Sequence, residues 1–252
     1  MPIRRPAARA RDDGGVALVE FALALPVILL LWLGGMETAN YVLVNIRLSQ
    51  IAQQVADNAG RVRQALDETD INEIMIGAKL MGNRIDFASR GRVILSDLEQ
   101  RTTTTGPGGQ GTMTATNPNG YRQWIRWQRC MGALNKSSTY GGPIDKNGRA
   151  VTDLTNTTNT DHGAVQDVST IDGMGPAGKQ IAASGGSAVM VVELFYSYRP
   201  LVATYALGSS TIRVVQAVNI RQRTDFSVYN IKKLTGTALS DCTLYNAAVP
   251  TS

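Results

Sequence analysis

The sequence predicts an α+β fold: one long N-terminal helix, half apolar and half amphipathic, packed on an antiparallel sheet of about four strands. Three observations predict it. An apolar run fills Gly14 to Leu33, an apolar stripe at helical spacing continues from Leu48 to Leu66, and two strand-like runs come late, Ser187 to Tyr198 and Thr211 to Gln222.

The first run reads GGVALVEFALALPVILLLWL, and from Val16 to Leu33 it has eighteen residues with Glu20 as the only charge. Eighteen residues is the lower limit for crossing a hydrocarbon core of about 30 Å, so the run is a candidate membrane helix. The thirteen residues before it carry Arg4, Arg5, Arg9 and Arg11 against Asp12 and Asp13. A basic flank beside a first span stays cytoplasmic, which places the rest of the chain outside the cytoplasm. Pro26 removes one helix hydrogen bond and should kink the span, a defect that neighbouring groups satisfy in membranes. Gly34 and Gly35 mark the outer edge, where polar Glu37, Thr38 and Asn40 begin. An ordinary secretory signal has a shorter apolar region, about 7–15 residues, and an A-x-A-like cleavage site. It also gives an acid at position 20 no purpose; an uncleaved signal anchor is the stronger alternative.

A carboxylate inside a span costs about 2.5 kcal/mol or more on insertion scales, so Glu20 needs a partner or a task. Cutting the chain after Gly15 supplies one. The new α-amine would sit on Val16, four residues before Glu20 and on the same helix face. An ammonium and a carboxylate buried together cost far less than either alone. The same amine could instead meet Glu20 of an adjacent subunit and set the stagger between packed helices.

A basic leader ending in Gly, a cut, Glu at the fifth mature position and an apolar helix together resemble the class III signal of type IV prepilins. GVALVEFALALPVILLLWLGG is similar to the TadE-like family of the tight-adherence (Tad) pilus system, with Gly15 as last leader residue, Val16 as first mature residue and Glu20–Phe21 as the acidic–aromatic pair. Phe21 stands where Tad pilins usually have Tyr. The segments WQRC, Trp127 to Cys130, and ELFYSYRPL, ending at Leu201, resemble the family less specifically. The resemblance implies a pilin-like fold and a minor pilin or pseudopilin processed by a prepilin peptidase. Its implied partners are other Tad pilins and pseudopilins, the inner-membrane assembly platform and the lipid bilayer. It implies an inner-membrane, single-pass protein with a periplasmic head that can be extracted into a surface pilus serving adhesion and biofilm. The alternative is a permanently anchored assembly factor or envelope protein outside the filament.

Beyond the span, Leu48, Ile51, Val55, Ala59, Val62 and Leu66 recur every three or four residues, with Arg47, Gln50, Gln54, Asp57 and Arg61 on other faces. One helix from Val16 to Leu66 would be about 75 Å long. The expected organisation is therefore a leader over 1–15, a span over 16–35, its amphipathic continuation over 36–66 and a head over 67–252. Thr69 or Asp70 can cap a second helix with Ile71, Ile74, Ala78 and Met81 on one side. Gly91 opens RVILSDLE, a strand. The Gly- and Thr-rich stretch over 102–120 reads as a loop; its Gly106, Gly108 and Gly111 match G-x-G-x-x-G, but no helix follows to hold a pyrophosphate.

YRQWIRWQRCM, Tyr121 to Met131, alternates. Arg122, Trp124, Arg126 and Cys130 fall on one face, and Tyr121, Ile125, Trp127 and Arg129 largely on the other. Arginines among aromatics can clamp single-stranded nucleic acid, but they also stack as cation–π pairs on a strand. The exported location favours the strand, and no nucleic-acid partner is expected. The region 132–185 is rich in Gly, Asn, Thr, Ser and Asp. Asp145, Asn147 and Gly148 start like a calcium loop, but Asn156 stands where its bidentate Glu belongs. His162 is the only histidine and lacks the soft ligands of a zinc site or a nucleophile to serve.

The run SAVMVVELFYSY is apolar on both faces and ends at Pro200, as a central strand does. Glu193 within it calls for a cation, Arg199 or Arg213. In the next run Ile212, Val214, Val218 and Ile220 should face inward, and the two runs pair antiparallel.

With 252 residues, 43% hydrophobic and 18% charged, the chain has room for one head domain beyond the helix. Its net charge of +5 becomes +3 without residues 1–15, a balance that does not require nucleic acid. Cys130 and Cys242 are an even pair in an oxidising compartment, and a bridge between them would staple the tail to the middle of the head. Asp, Glu, His and Ser form no acid–base or metal constellation in the sequence, so no catalysis, cofactor or metal is expected.

Overall fold

The structure is a computed structural model and describes residues 14–100, 123–143, 173–175, 179–201 and 210–248. Helix α1 spans Gly14–Arg61; β1, Leu66–Asp67; α2, Glu68–Met81; and α3, Phe87–Arg90, after a 3-10 turn at Asn83–Ile85. The strands β2 (Gly91–Gln100), β3 (Gln123–Met131), β4 (Ala188–Tyr198) and β5 (Ser210–Asn219) follow, then β6 (Val228–Tyr229) and a second 3-10 turn, Gly236–Ala238. The main sheet has the order β3-β2-β4-β5, antiparallel throughout. The α+β architecture read from the sequence is the one observed.

The C-terminal half of α1 lies on this sheet. Leu48, Ile51, Ala52, Val55, Ala56 and Ala59 are buried against Val93 and Leu95 of β2 and Met190, Val192 and Leu194 of β4. Each large side chain removed from water there contributes about 1.5–3 kcal/mol. The small residues set the spacing: a Cβ on Gly60 would come within 3.2 Å of Val218 Cγ1 on β5. The opposite face of the sheet is covered as well. Val189 and Val191 of β4 join Leu98, Ile125, Met174 and Ala183 in a second cluster, and Phe195 joins Ile94 and Cys130 in a third. Burial on both faces explains why β4 reads as a continuous apolar run.

Four expectations need correction. The helix ends at Arg61 rather than Leu66. Leu66 is fully buried, as the stripe demands, but in β1, which pairs parallel with β6 and so ties the end of α1 to the C-terminal segment. Burial at a helical spacing cannot distinguish a last helical turn from a strand that follows it. The cap of α2 is Asp67, not Thr69 or Asp70. Its carboxylate accepts the Thr69 amide at 3.1 Å, while the Asp67 amide donates to Asp70 at 3.0 Å, two reciprocal bonds of a capping box. Met81 is 40% exposed and leaves the buried side on which Ile71, Ile74 and Ala78 lie.

The fourth correction concerns β3. Opposite β2 its register advances three residues, Gln128 to Ile125, while β2 advances two, Ser96 to Leu98. This bulge shifts the alternation by one. Trp127 stays with the helix-facing core while Ile125 moves to the opposite face. Arg126, expected beside Cys130, bonds instead to Glu99 at 2.9 Å and Ser227 Oγ at 3.0 Å.

Candidate functional site

The distinctive feature among the described residues is a bare helix. Val16, Leu18, Val19, Phe21, Leu23, Leu30, Leu31 and Trp32 of α1 are each at least 60% exposed. Its most apolar 18-residue window has a mean hydropathy of 2.5 and no residue buried against the rest of the chain. The helix is long and apolar enough to cross a membrane once. It runs without interruption through Pro26, which leaves the Ala22 carbonyl without its i+4 donor. Glu20 and Phe21 both lie on this exposed surface. The Gly15–Val16 bond lies within the first turn of α1, and among the described residues nothing comes within 4 Å of the place of a Cβ on Gly15, Gly34 or Gly35.

The head begins to grip α1 at Glu37, four residues beyond Leu33. The Glu37 carboxylate is nearly buried and accepts two bonds from the end of β4 and beyond: the Tyr198 hydroxyl on Oε1 and the Leu201 amide on Oε2, the latter at 2.7 Å. Asn40 Nδ2 donates to the same phenol oxygen at 2.8 Å, and Tyr41 packs edge-on to the Tyr198 ring with centroids 5.2 Å apart. Burial first, and then the bond to Glu37, holds the Tyr198 phenol above its usual range. Two successive turns of α1 are thus fastened to one strand end. In the sequence Glu37 reads only as the return of polar residues; its signal is an acid one turn past an apolar run, with no basic residue at the next helical positions.

Cys130 and Cys242 form a disulfide across 112 residues of sequence. The tail they staple is further held by Arg92, which donates to the Gly132, Cys242 and Leu244 carbonyls and stacks on Tyr245 at 4.3 Å. Glu193 takes Arg213 as its cation, at 2.8 Å, together with the Ser138 hydroxyl and the Thr139 amide. The glycine motif at Gly106, Gly108 and Gly111, the Asp145–Asn147–Gly148 turn, Asn156 and His162 lie outside the described residues. Among the described residues no three His, Cys, Asp or Glu side chains gather as metal ligands would.

Two buried polar groupings have no ready signal in the sequence. Arg129 of β3 forks onto Glu68 at the start of α2, its Nε 3.0 Å from both carboxylate oxygens, with both side chains 1% exposed. Asp97 of β2 is fully buried, and among the described residues no N–H or hydroxyl donor reaches either of its oxygens. Its carboxyl faces that of Glu99 across from Arg126 and Arg223. Glu68 and Arg129 lie 61 residues apart, and Arg126 and Arg223 approach Asp97 from other segments, so no local spacing announces these ion contacts; only Asp97 and Glu99 share a face of β2 by their spacing.

Residues 15–57 match the family model described as TadE: TadE-like protein. No curated protein and no solved structure matches the chain at a significant level. The matched residues are the exposed apolar half of α1, the Glu37 junction and most of the half that lies on the sheet. Over residues 15–57, then, the chain is similar to the TadE-like family.

Proposed function

We propose that this protein is a minor pilin or pseudopilin of a Tad-type pilus, cut by a prepilin peptidase after Gly15 and acting in pilus assembly or priming. The observation that carries the reading is a single helix, α1, bare and apolar at one end and built into the head at the other, with an acid at the fifth position after Gly15. Such a helix anchors the head in a membrane before assembly and offers an apolar surface to neighbouring subunits afterwards. Glu20 and the Val16 amine are its register pair. The prepilin peptidase, other Tad pilins and pseudopilins, the assembly platform and the bilayer are its partners, and the head faces the periplasm. No step of this role requires catalysis.

One observation favours a second reading, a permanently anchored assembly factor that keeps its leader: the Gly15–Val16 bond is helical, whereas cleavage requires an open backbone. The same turn opens at little cost, because each glycine weakens a helix by about 1 kcal/mol relative to alanine and two stand here. Mass spectrometry of the native protein decides between the readings. The first predicts a mature chain beginning at Val16, and recovery of the full leader would replace it with the second. Glu20→Ala should leave cleavage intact and impair assembly; normal piliation by that variant would refute the register pair.

A further inference from the structure

We propose that the head rests on the bilayer through the turn Arg199–Leu201, with the Leu201 side chain entering the lipid headgroup layer beside α1 and Arg199 meeting lipid phosphate. This rests on the reading of α1 as a membrane span. The depth follows from helix geometry. Leu33 ends the apolar run, and Glu37, four residues on, lies about 6 Å further along the axis. The polar layer on each side of the hydrocarbon core is about 5–7 Å thick. Because the Leu201 amide donates to Glu37 Oε2 at 2.7 Å, the turn is held at that level and not higher up the helix.

The side chains at this level suit that place. Leu201 is 63% exposed although Pro200 before it is buried, so the strand end turns its apolar side chain outward at the one height where lipid would cover it. Trp32, exposed one residue before the end of the apolar run, lies on α1 just below this level, as interfacial aromatics do. The charges around the neighbouring Tyr196 phenol are Arg90, Asp86 and Arg199. Arg90 donates to the Ser197 carbonyl and lies over the Tyr196 ring, whereas Arg199 is exposed. An exposed guanidinium within the headgroup layer is attracted to anionic lipid.

Site-directed fluorescence tests the contact. Leu201→Cys, Leu23→Cys and Ile231→Cys variants of the full chain are labelled with an environment-sensitive dye while Cys130 and Cys242 stay bridged. Each is reconstituted in vesicles of phosphatidylcholine, alone or mixed with phosphatidylglycerol. Leu23 reports the span, and Ile231, 75% exposed beside Asp67 at the far end of the head, reports water. The dye at position 201 is expected to shift to the blue and to be quenched by nitroxide carried on lipid headgroups. The shift should grow with phosphatidylglycerol, and Arg199→Gln should abolish that growth. A dye at 201 that behaves like the one at 231, while the one at 23 sits in lipid, overturns the proposal and leaves the span standing. A dye at 23 that reports water overturns both. An unchanged response to phosphatidylglycerol removes the role given to Arg199.

Discussion

Asp97 shows how one residue couples the fold to pH. Burial raises its carboxyl well above the usual carboxylate range; the neighbouring Glu99 adds to the rise, and Arg223 and Arg126 oppose it. Two facing carboxyls can bond only when one of them holds a proton. Arg223 is otherwise occupied, reaching the Ala59 carbonyl at the end of α1, and Asp225 accepts from Ser227 and Tyr229. The folded state thus keeps a proton that the unfolded chain releases near the ordinary carboxyl value of about 3.9. Stability contributed by this group is present at acidic pH and is lost as pH rises through the folded value. Asp97→Asn fixes the neutral form at every pH. Its melting temperature in detergent should match that of the parent only below the ordinary carboxyl value of about 3.9 and exceed it by a growing margin as pH rises above that value. A variant less stable than the parent throughout would show that the ionised carboxylate, paired with the arginines, is the native species.

At the scale of elements, the C-terminal half of α1 was legible and its boundaries were not. Leu48, Ile51, Val55 and Ala59 announce one helix face because burial and a 3.6-residue period coincide, and the same rule located β4 through apolarity on both faces. The rule is silent where burial is satisfied by a different backbone, as at Leu66, or where an extra residue shifts the period, as at Arg126 and Trp127. The Glu37 junction was illegible for another reason: its partners, Tyr198 and Leu201, lie more than 160 residues away. Asp67 combines both problems. It caps α2 through Thr69 and, with its other oxygen, accepts the Ile231 amide at 2.9 Å. Burial alone would raise its carboxyl, but the Ile231 and Thr69 bonds outweigh that and hold it below the usual range. Asp67→Ala should therefore cost more than an ordinary cap. About 1 kcal/mol is expected for the cap itself and about 1 more for the Ile231 amide, measured by denaturant unfolding of the full chain. Asp67→Asn, which keeps both acceptor geometries only in part, should fall between. A loss confined to the cap value would mean that β6 is held by Leu66 and Val228 alone.

The whole molecule is a helix with two different ends, and the tail decides how independent they are. After β5 the chain returns along the sheet, buries Phe226, Val228 and Leu239, pairs β6 with β1 and ends on β3 through the disulfide. Closing so long a loop removes roughly 4–5 kcal/mol of unfolded-state entropy in the chain-entropy model. The tail has local anchors besides the bridge. The Cys130 amide donates to the Ser240 carbonyl at 2.8 Å, Asn72 of α2 holds both the Ala238 carbonyl and the Ser240 hydroxyl, and Arg92 holds the Cys242 and Leu244 carbonyls. None of these residues touches the exposed half of α1. Reducing the bridge should thus lower global stability by up to that amount and speed amide exchange over residues 226–245, while the β2–β4 pairing and the Glu37 junction keep their protection. Hydrogen exchange of the oxidised and reduced full-length protein, resolved by segment, separates the cases. If the Leu201 amide lost its protection as fast as the tail, the disulfide would stabilise the seat of the head on its helix, and oxidation would be a condition for presenting the head in its fixed orientation.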